Sequence, residues 1–185
     1  MRFILYFTRN KLNEFIQSLC ASENTMEANK YITFNDKQIS EIAEQLDCGN
    51  KAYYNLESKE LTFLPDVDNG FDSLPDELAD EYERIEEQRD NFIEFSKMES
   101  HDSYRVMADF VDEVDDNRFK EQLITTLNKP KPFSQFKFQI DTNGKFRQQW
   151  FDFRHQRMID WVSNQIDEHN NLNKFRIENS DNREK

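Results

Sequence analysis

Apolar residues first fall into a regular pattern at Phe34. Asn35 is a good helix N-cap, Gln38 three residues on completes a capping-box pattern, and Phe34 and Ile39 occupy the two staple positions. Ile39, Ile42, Ala43 and Leu46 then share one helical face, and Gly49 sits where a helix commonly ends. The period next changes from helical spacing to alternation. Ala52, Tyr54 and Leu56, then Leu61 and Phe63 across the polar break Glu57-Ser58-Lys59-Glu60, predict a β-hairpin closed by Pro65. A lone hairpin is marginal, so helices or a third strand must cover it, and Phe92, Ile93 and Phe95 offer that strand.

Between hairpin and third strand lie an acidic loop, Asp66–Asp72, and a helix with Ser73 as cap and Pro75 in its first turn. Leu78, Ala79, Tyr82 and Ile85 form its narrow apolar face. Ser100 is expected to cap a further helix with Tyr104, Met107, Ala108, Val111 and Val114 inward. Asp116 is expected to cap the next, with Phe119, Leu123, Ile124 and Leu127 inward. Pro132 opens a short helix carrying Phe133, Phe136 and Ile140, and Asp141-Thr142-Asn143-Gly144 reads as a turn. The last helix, about Phe146 to Asp167, uses Trp150, Phe153, Met158, Trp161, Val162 and Ile166.

The two ends read differently. Leu12, Phe15, Ile16 and Leu19 allow a short amphipathic helix, but residues 1–30 are expected to be an extension outside the core, with translation starting at Met26. Residues 31–168 form the expected domain, and 169–185 a polar, disordered tail. The expected fold class is α+β: a mostly helical single domain with a small antiparallel hairpin or three-stranded sheet packed on helices. Composition agrees, since 185 residues with 17 Phe can build one core, and 3 Gly and 4 Pro are too few for many tight turns.

These elements resemble a bacterial uncharacterised protein family, UPF0158. The likeness is carried by Ile39–Leu46 with Tyr53-Tyr54-Asn55-Leu56, Tyr104–Phe110, Phe133-x-x-Phe136-Lys137, Trp150-Phe151-x-Phe153-Arg154 and Asp160-Trp161-Val162. It covers about residues 31–168, implies no particular activity, and implies a Gly in the hairpin turn where this chain has Ser58-Lys59.

Charge changes the functional picture more than composition does. Residues 66–121 hold 20 acidic and 6 basic groups, net −14, of a whole-chain −13. Lys129–Arg157 has 7 basic against 2 acidic groups, interleaved with Phe133, Phe136, Phe138, Phe146, Trp150, Phe151 and Phe153. Two cysteines, Cys20 and Cys48, point to thiols in a reducing compartment, and Phe3–Phe7 is too short for a signal core or a membrane span. A cytoplasmic protein is therefore expected, with no membrane association.

No catalytic, cofactor-binding or metal-ligating set is predicted. Asp66-x-Asp68-x-Gly70 with Glu77 lacks the fifth and sixth positions of a calcium loop. Asp109, Asp112, Glu113 and Asp116 share a helix side without a second carboxylate helix, and His101, His155 and His169 stand in no known triad pattern. The leading expectation is a non-enzymatic acidic interaction module that engages a basic protein through Asp80, Glu83, Glu87, Asp112 and Asp116. The alternative is a nucleic-acid or nucleotide binder that uses Lys131, Lys137, Phe138, Arg147, Phe151 and Arg154. The plainer expectation for that segment is that its aromatics are core and its cations pair with the acidic helices of its own chain, and an unrecognised enzyme is the third reading.

Overall fold

The computed structural model describes residues 31–66 and 75–181. The amphipathic segment at Leu12–Leu19, the start at Met26, the Ser73 cap and positions Asp68 and Gly70 lie outside the described residues. In chain order the elements are α1 (Asp36–Asp47), β1 (Asn50–Asn55), β2 (Leu61–Pro65), α2 (Asp76–Glu87), a 3-10 turn, β3 (Phe92–Phe95), α3 (Ser100–Glu113), α4 (Asn117–Leu127), α5 (Pro132–Asp141) and α6 (Gly144–Asp181). The fold is α+β, a helical domain built on one three-stranded antiparallel sheet.

Local chemistry sets the first elements as expected. Asn35 Oδ1 accepts from Gln38 N (3.0 Å) while Asn35 N donates to Gln38 Oε1 (3.1 Å), which satisfies two amides at the start of α1. Gly49, at φ +89°, ends it and turns the chain into β1. At the hairpin, Asn55 Oδ1 accepts from Glu57 N and Ser58 N (2.8 and 2.9 Å), and Lys59 takes the left-handed conformation, φ 63°. A glycine would adopt that conformation without strain.

The sheet order is β2-β1-β3, so the central strand pairs on both edges. Ala52 stands between Phe63 and Phe95, and Tyr54 between Leu61 and Ile93. This face packs with α1 and the middle of α6 around Ile42, Ala43, Leu46, Met158, Val162 and Ile166. Tyr53 points to the other face, where Leu64, Tyr82 and Ile85 hold α2. A second cluster, in the helical half, gathers Met107, Phe110, Val111, Phe119, Leu123, Phe136, Phe146 and Trp150 from α3 to α6.

The long helix α6 joins these halves. Its 38 residues span about 57 Å at 1.5 Å per residue. Its buried apolar positions, Phe146, Trp150, Met158, Val162 and Ile166, step mostly by four. Each step of four overshoots a turn by about 40°, so the buried stripe winds around the helix. By Ile166 it faces away from the side used by Phe146. One helix can thus bury its first turns against helices and its middle against a sheet.

Four expectations need correcting. The chain past Glu168 is helical to Asp181: Asn170 exchanges two hydrogen bonds with the backbone of Ile32, and Asn173 is buried against His169. Polar composition hid this because amide side chains can be buried once they are hydrogen-bonded. Glu99, not Ser100, precedes α3, since its carbonyl accepts the first helical bond from Ser103 N (2.9 Å). On α3 the buried stripe is Met107, Phe110, Val111 and Val114, while Tyr104 is exposed and reaches the Leu127 carbonyl through its hydroxyl. On α4, Thr126 is buried and Ile124 is 45% exposed, because the Thr126 hydroxyl is satisfied by the Gln122 carbonyl one turn back.

Candidate functional site

The two half-cores meet in an open groove of about 680 Å³. Its first wall is α5. Lys131, at φ 57°, redirects the chain, and Pro132 fits the first helical position because its missing N–H has no partner there anyway. Phe133, Phe136, Lys137, Ile140 and Asp141 then fall at i, i+3, i+4, i+7 and i+8, so one face enters the groove. The second wall is α6, where Arg147, Trp150, Phe151, Arg154 and Met158 fall at i, i+3, i+4, i+7 and i+11. This is the stretch over which the buried stripe of α6 passes from helices to sheet. The ends of α1 and β3 close the groove with Leu46, Asp47, Lys97 and Met98.

Its floor is aromatic and preorganised. Phe136 and Trp150 meet edge-on with centroids 4.9 Å apart, and Phe110 meets Trp150 at 5.2 Å. Phe133 and Phe151 stand at the rim, 42% and 38% exposed. Phe133 is exposed although Phe136 and Ile140 of the same helix are buried. It is the first turn of a short helix, where only the Phe136 and Ile140 side reaches the core.

Four cations line the groove, against two acids. Arg147 Nε donates to Asp141 (3.4 Å), and its guanidinium lies 4.7 Å from the centre of the Phe151 ring. Arg154 pairs with Asp47 across the α6–α1 contact, and Lys97 with Asp66 (2.6 Å). Lys137 is exposed and makes no ion pair among the described residues. Such a surface suits a flat ring carrying negative charge: the ring covers aromatic carbon, and the anion meets donors already held in place.

Of the basic aromatic residues predicted, Lys137, Arg147, Phe151 and Arg154 come together here. Lys131 does not line the groove, and Phe138, 66% exposed, projects from another side of α5. Phe133, Lys97 and Asp47 were missed as site residues. The spacing on α5 could have revealed Phe133, whereas Lys97 and Asp47 arrive from distant elements.

The acidic residues are distributed otherwise. Asp80, Glu83 and Glu87 are exposed on α2 and make no ion pair among the described residues. Their neighbours Glu81 and Glu86 bind Arg84 and Arg89 (2.6 and 2.7 Å). The hydrogen bond from Arg84 holds the Glu81 carboxyl below its ordinary pKa and raises that of the guanidinium. Asp116 caps α4 by accepting from Phe119 N (2.9 Å), Asp112 pairs with Lys120 (3.5 Å) and Asp109 with Arg157 (3.4 Å). These carboxylates thus serve a cap and two cations, and do not converge. Lys145 reaches Asp115 (3.1 Å), so part of the basic segment pairs with the turn after α3. These pairs leave Asp80, Glu83 and Glu87 on α2 without a cation among the described residues.

His155 lies 3.2 Å from Ser40 Oγ, a contact the sequence did not suggest. The nearby acid, Glu44, bonds the serine and not the imidazole. A nucleophile–base–acid order is therefore not made, and the pair reads as packing between α1 and α6. Among the described residues no helix is long and apolar enough to cross a membrane.

Comparison with known proteins adds one finding. The profile of Uncharacterised protein family (UPF0158) matches residues 29–182. The chain belongs to UPF0158. That match runs through the last described turn of α6, so the polar end of the helix lies within the shared region. No curated protein and no solved structure matches this UPF0158 chain.

Proposed function

We propose that this UPF0158 protein is a binding protein whose basic aromatic groove takes an anionic ligand with a flat ring, in the class of nucleotides or single-stranded nucleic acid. One observation carries this reading. Exposed Phe133 and Phe151, buried Trp150 and the cations Lys137, Arg147 and Arg154 line a single cavity of about 680 Å³. Stacking on exposed rings and charge-assisted contacts to phosphate are the two interactions that such ligands use.

The test uses Trp150, which lines the groove. In the full chain carrying Trp161→Phe, its emission is followed while adenosine 5′-monophosphate or a single-stranded oligodeoxythymidylate is added. Saturable, salt-sensitive quenching by either ligand is expected, weakened by Lys137→Glu. If neither ligand alters Trp150, or if Lys137→Glu leaves both titrations unchanged, the groove is not the binding site.

A second reading rests on α2. Asp80, Glu83 and Glu87 are exposed without ion pairs among the described residues, whereas part of the basic segment is committed to Asp109 and Asp115. A basic protein partner fits that face. Co-purified partners should be released by salt and lost on Asp80→Asn/Glu83→Gln/Glu87→Gln. Partners retained through both treatments exclude it.

A further inference from the structure

Resting on the groove reading above, we propose that the ligand is a free nucleoside monophosphate and not a polymer strand. The groove has two chemically distinct ends. At the α5–α6 end, Lys137 lies one turn before Asp141, and Asp141 holds Arg147 (3.4 Å). An ammonium with no ion pair among the described residues therefore stands near a guanidinium whose Nε is already fixed, and whose other N–H groups make no hydrogen bond among those residues. This is the phosphate end. Seven residues along α6, about 10 Å by helix rise, Arg154 holds Asp47. That end offers a carboxylate acceptor beside a donor, the pairing that a sugar hydroxyl or an exocyclic amine uses. Phe133, Trp150 and Phe151 line the same cavity, with the Arg147 guanidinium over one face of the Phe151 ring (4.7 Å).

Size and charge both favour a monomer. The cavity falls within the range of small-molecule sites, roughly 300–1,000 Å³. Three of its four cations already carry a carboxylate partner, which leaves Lys137 as the one uncompensated cation of the groove among the described residues, enough to meet one phosphate and not a row of them. A strand leaving the groove would pass Asp47 or Asp141, both of which line it. Beyond the groove it would meet a chain of net charge −13. Tracking a strand needs a row of free cations, and Lys145 is bound to Asp115.

The experiment is calorimetric titration of the full chain with adenosine, guanosine, cytidine and uridine 5′-monophosphates. Adenosine, inorganic phosphate and a single-stranded oligodeoxythymidylate of about twelve residues are run in parallel. At least one monophosphate is expected to bind at least about tenfold more tightly than adenosine, phosphate or the oligomer. Lys137→Gln, at an exposed position with no ion pair among the described residues, is expected to weaken it by about tenfold, the loss of one charged hydrogen bond. Phe151→Ala is expected to weaken it with the fold intact by circular dichroism. Tighter binding of the oligomer, sensitive to Lys137→Gln, overturns the monomer assignment while leaving the groove as the site. Binding of no nucleotide of either size, or binding indifferent to both variants, overturns the groove itself.

Discussion

Asn170→Ala is a direct test of whether the polar end of α6 belongs to the domain. Asn170 Oδ1 accepts from Ile32 N and Asn170 Nδ2 donates to Ile32 O, each at 2.9 Å, so one side chain closes both backbone groups of a residue that is 1% exposed. A neutral hydrogen bond contributes about 0.5–1.5 kcal/mol net, and two give about 2 kcal/mol. Stranding the amide and carbonyl of a buried residue pushes the loss upward, while alanine returns about 0.5 kcal/mol of helix propensity. Asn171→Ala, at the exposed next position, gains the same propensity without losing those bonds. The difference between the two variants therefore isolates the Ile32 contact. Urea unfolding should place Asn170→Ala about 2 kcal/mol below Asn171→Ala with the slope unchanged, and thermal unfolding about 4–8 °C below it. Equal stabilities within about 0.5 kcal/mol would refute the contact and return residues beyond Glu168 to the status of a solvated tail.

Phe136→Ala should destabilise by about 3–5 kcal/mol, since the ring is 1% exposed and packs edge-on against Phe110 and Trp150; chemical denaturation reads this. Lys59→Gly should stabilise by up to about 1 kcal/mol, because it removes a left-handed non-glycine residue (φ 63°) from the hairpin turn; a lowered melting temperature would count against the turn geometry. Asp116→Ala should cost about 1 kcal/mol through loss of the bond to Phe119 N, and Asp116→Asn, which keeps the acceptor, should cost less. Burial raises the pKa of Tyr53, Tyr54 and Tyr82, so their neutral forms are favoured by folding. That stability is complete below about pH 10 and falls as pH rises toward the folded values, so melting temperature should drop more steeply above pH 10 than in Tyr53→Phe.

Much of the fold was legible because its signals are local. The Asn35 capping box, the Gly49 terminus, the alternation through Ala52 and Tyr54, the Asp116 cap and Pro132 at a helix start each depend on residues within one or two turns. The resemblance to UPF0158 rested on those elements and on their aromatics. Which side of a helix is inward was less legible. Tyr104 and Phe110 both suit an inner face by type, and only the approach of α4 and α6 chose Phe110. Thr126 displaced Ile124 because a satisfied hydroxyl is cheap to bury and the neighbouring helix met that side.

The sequence by itself determined where helices and strands form, which residues cap them and how charge divides along the chain. The tertiary structure alone decided that α6 continues past Glu168, because the hydrogen bonds that hold Asn170 come from Ile32, far away in sequence. It also decided what the basic aromatic segment becomes. Lys137, Phe151 and Arg154 share a groove only because α5 folds beside α6 at a two-residue turn and the end of α1 supplies Asp47. Periodicity fixes which residues share a face of one helix, whereas the packing of separate helices fixes which faces meet.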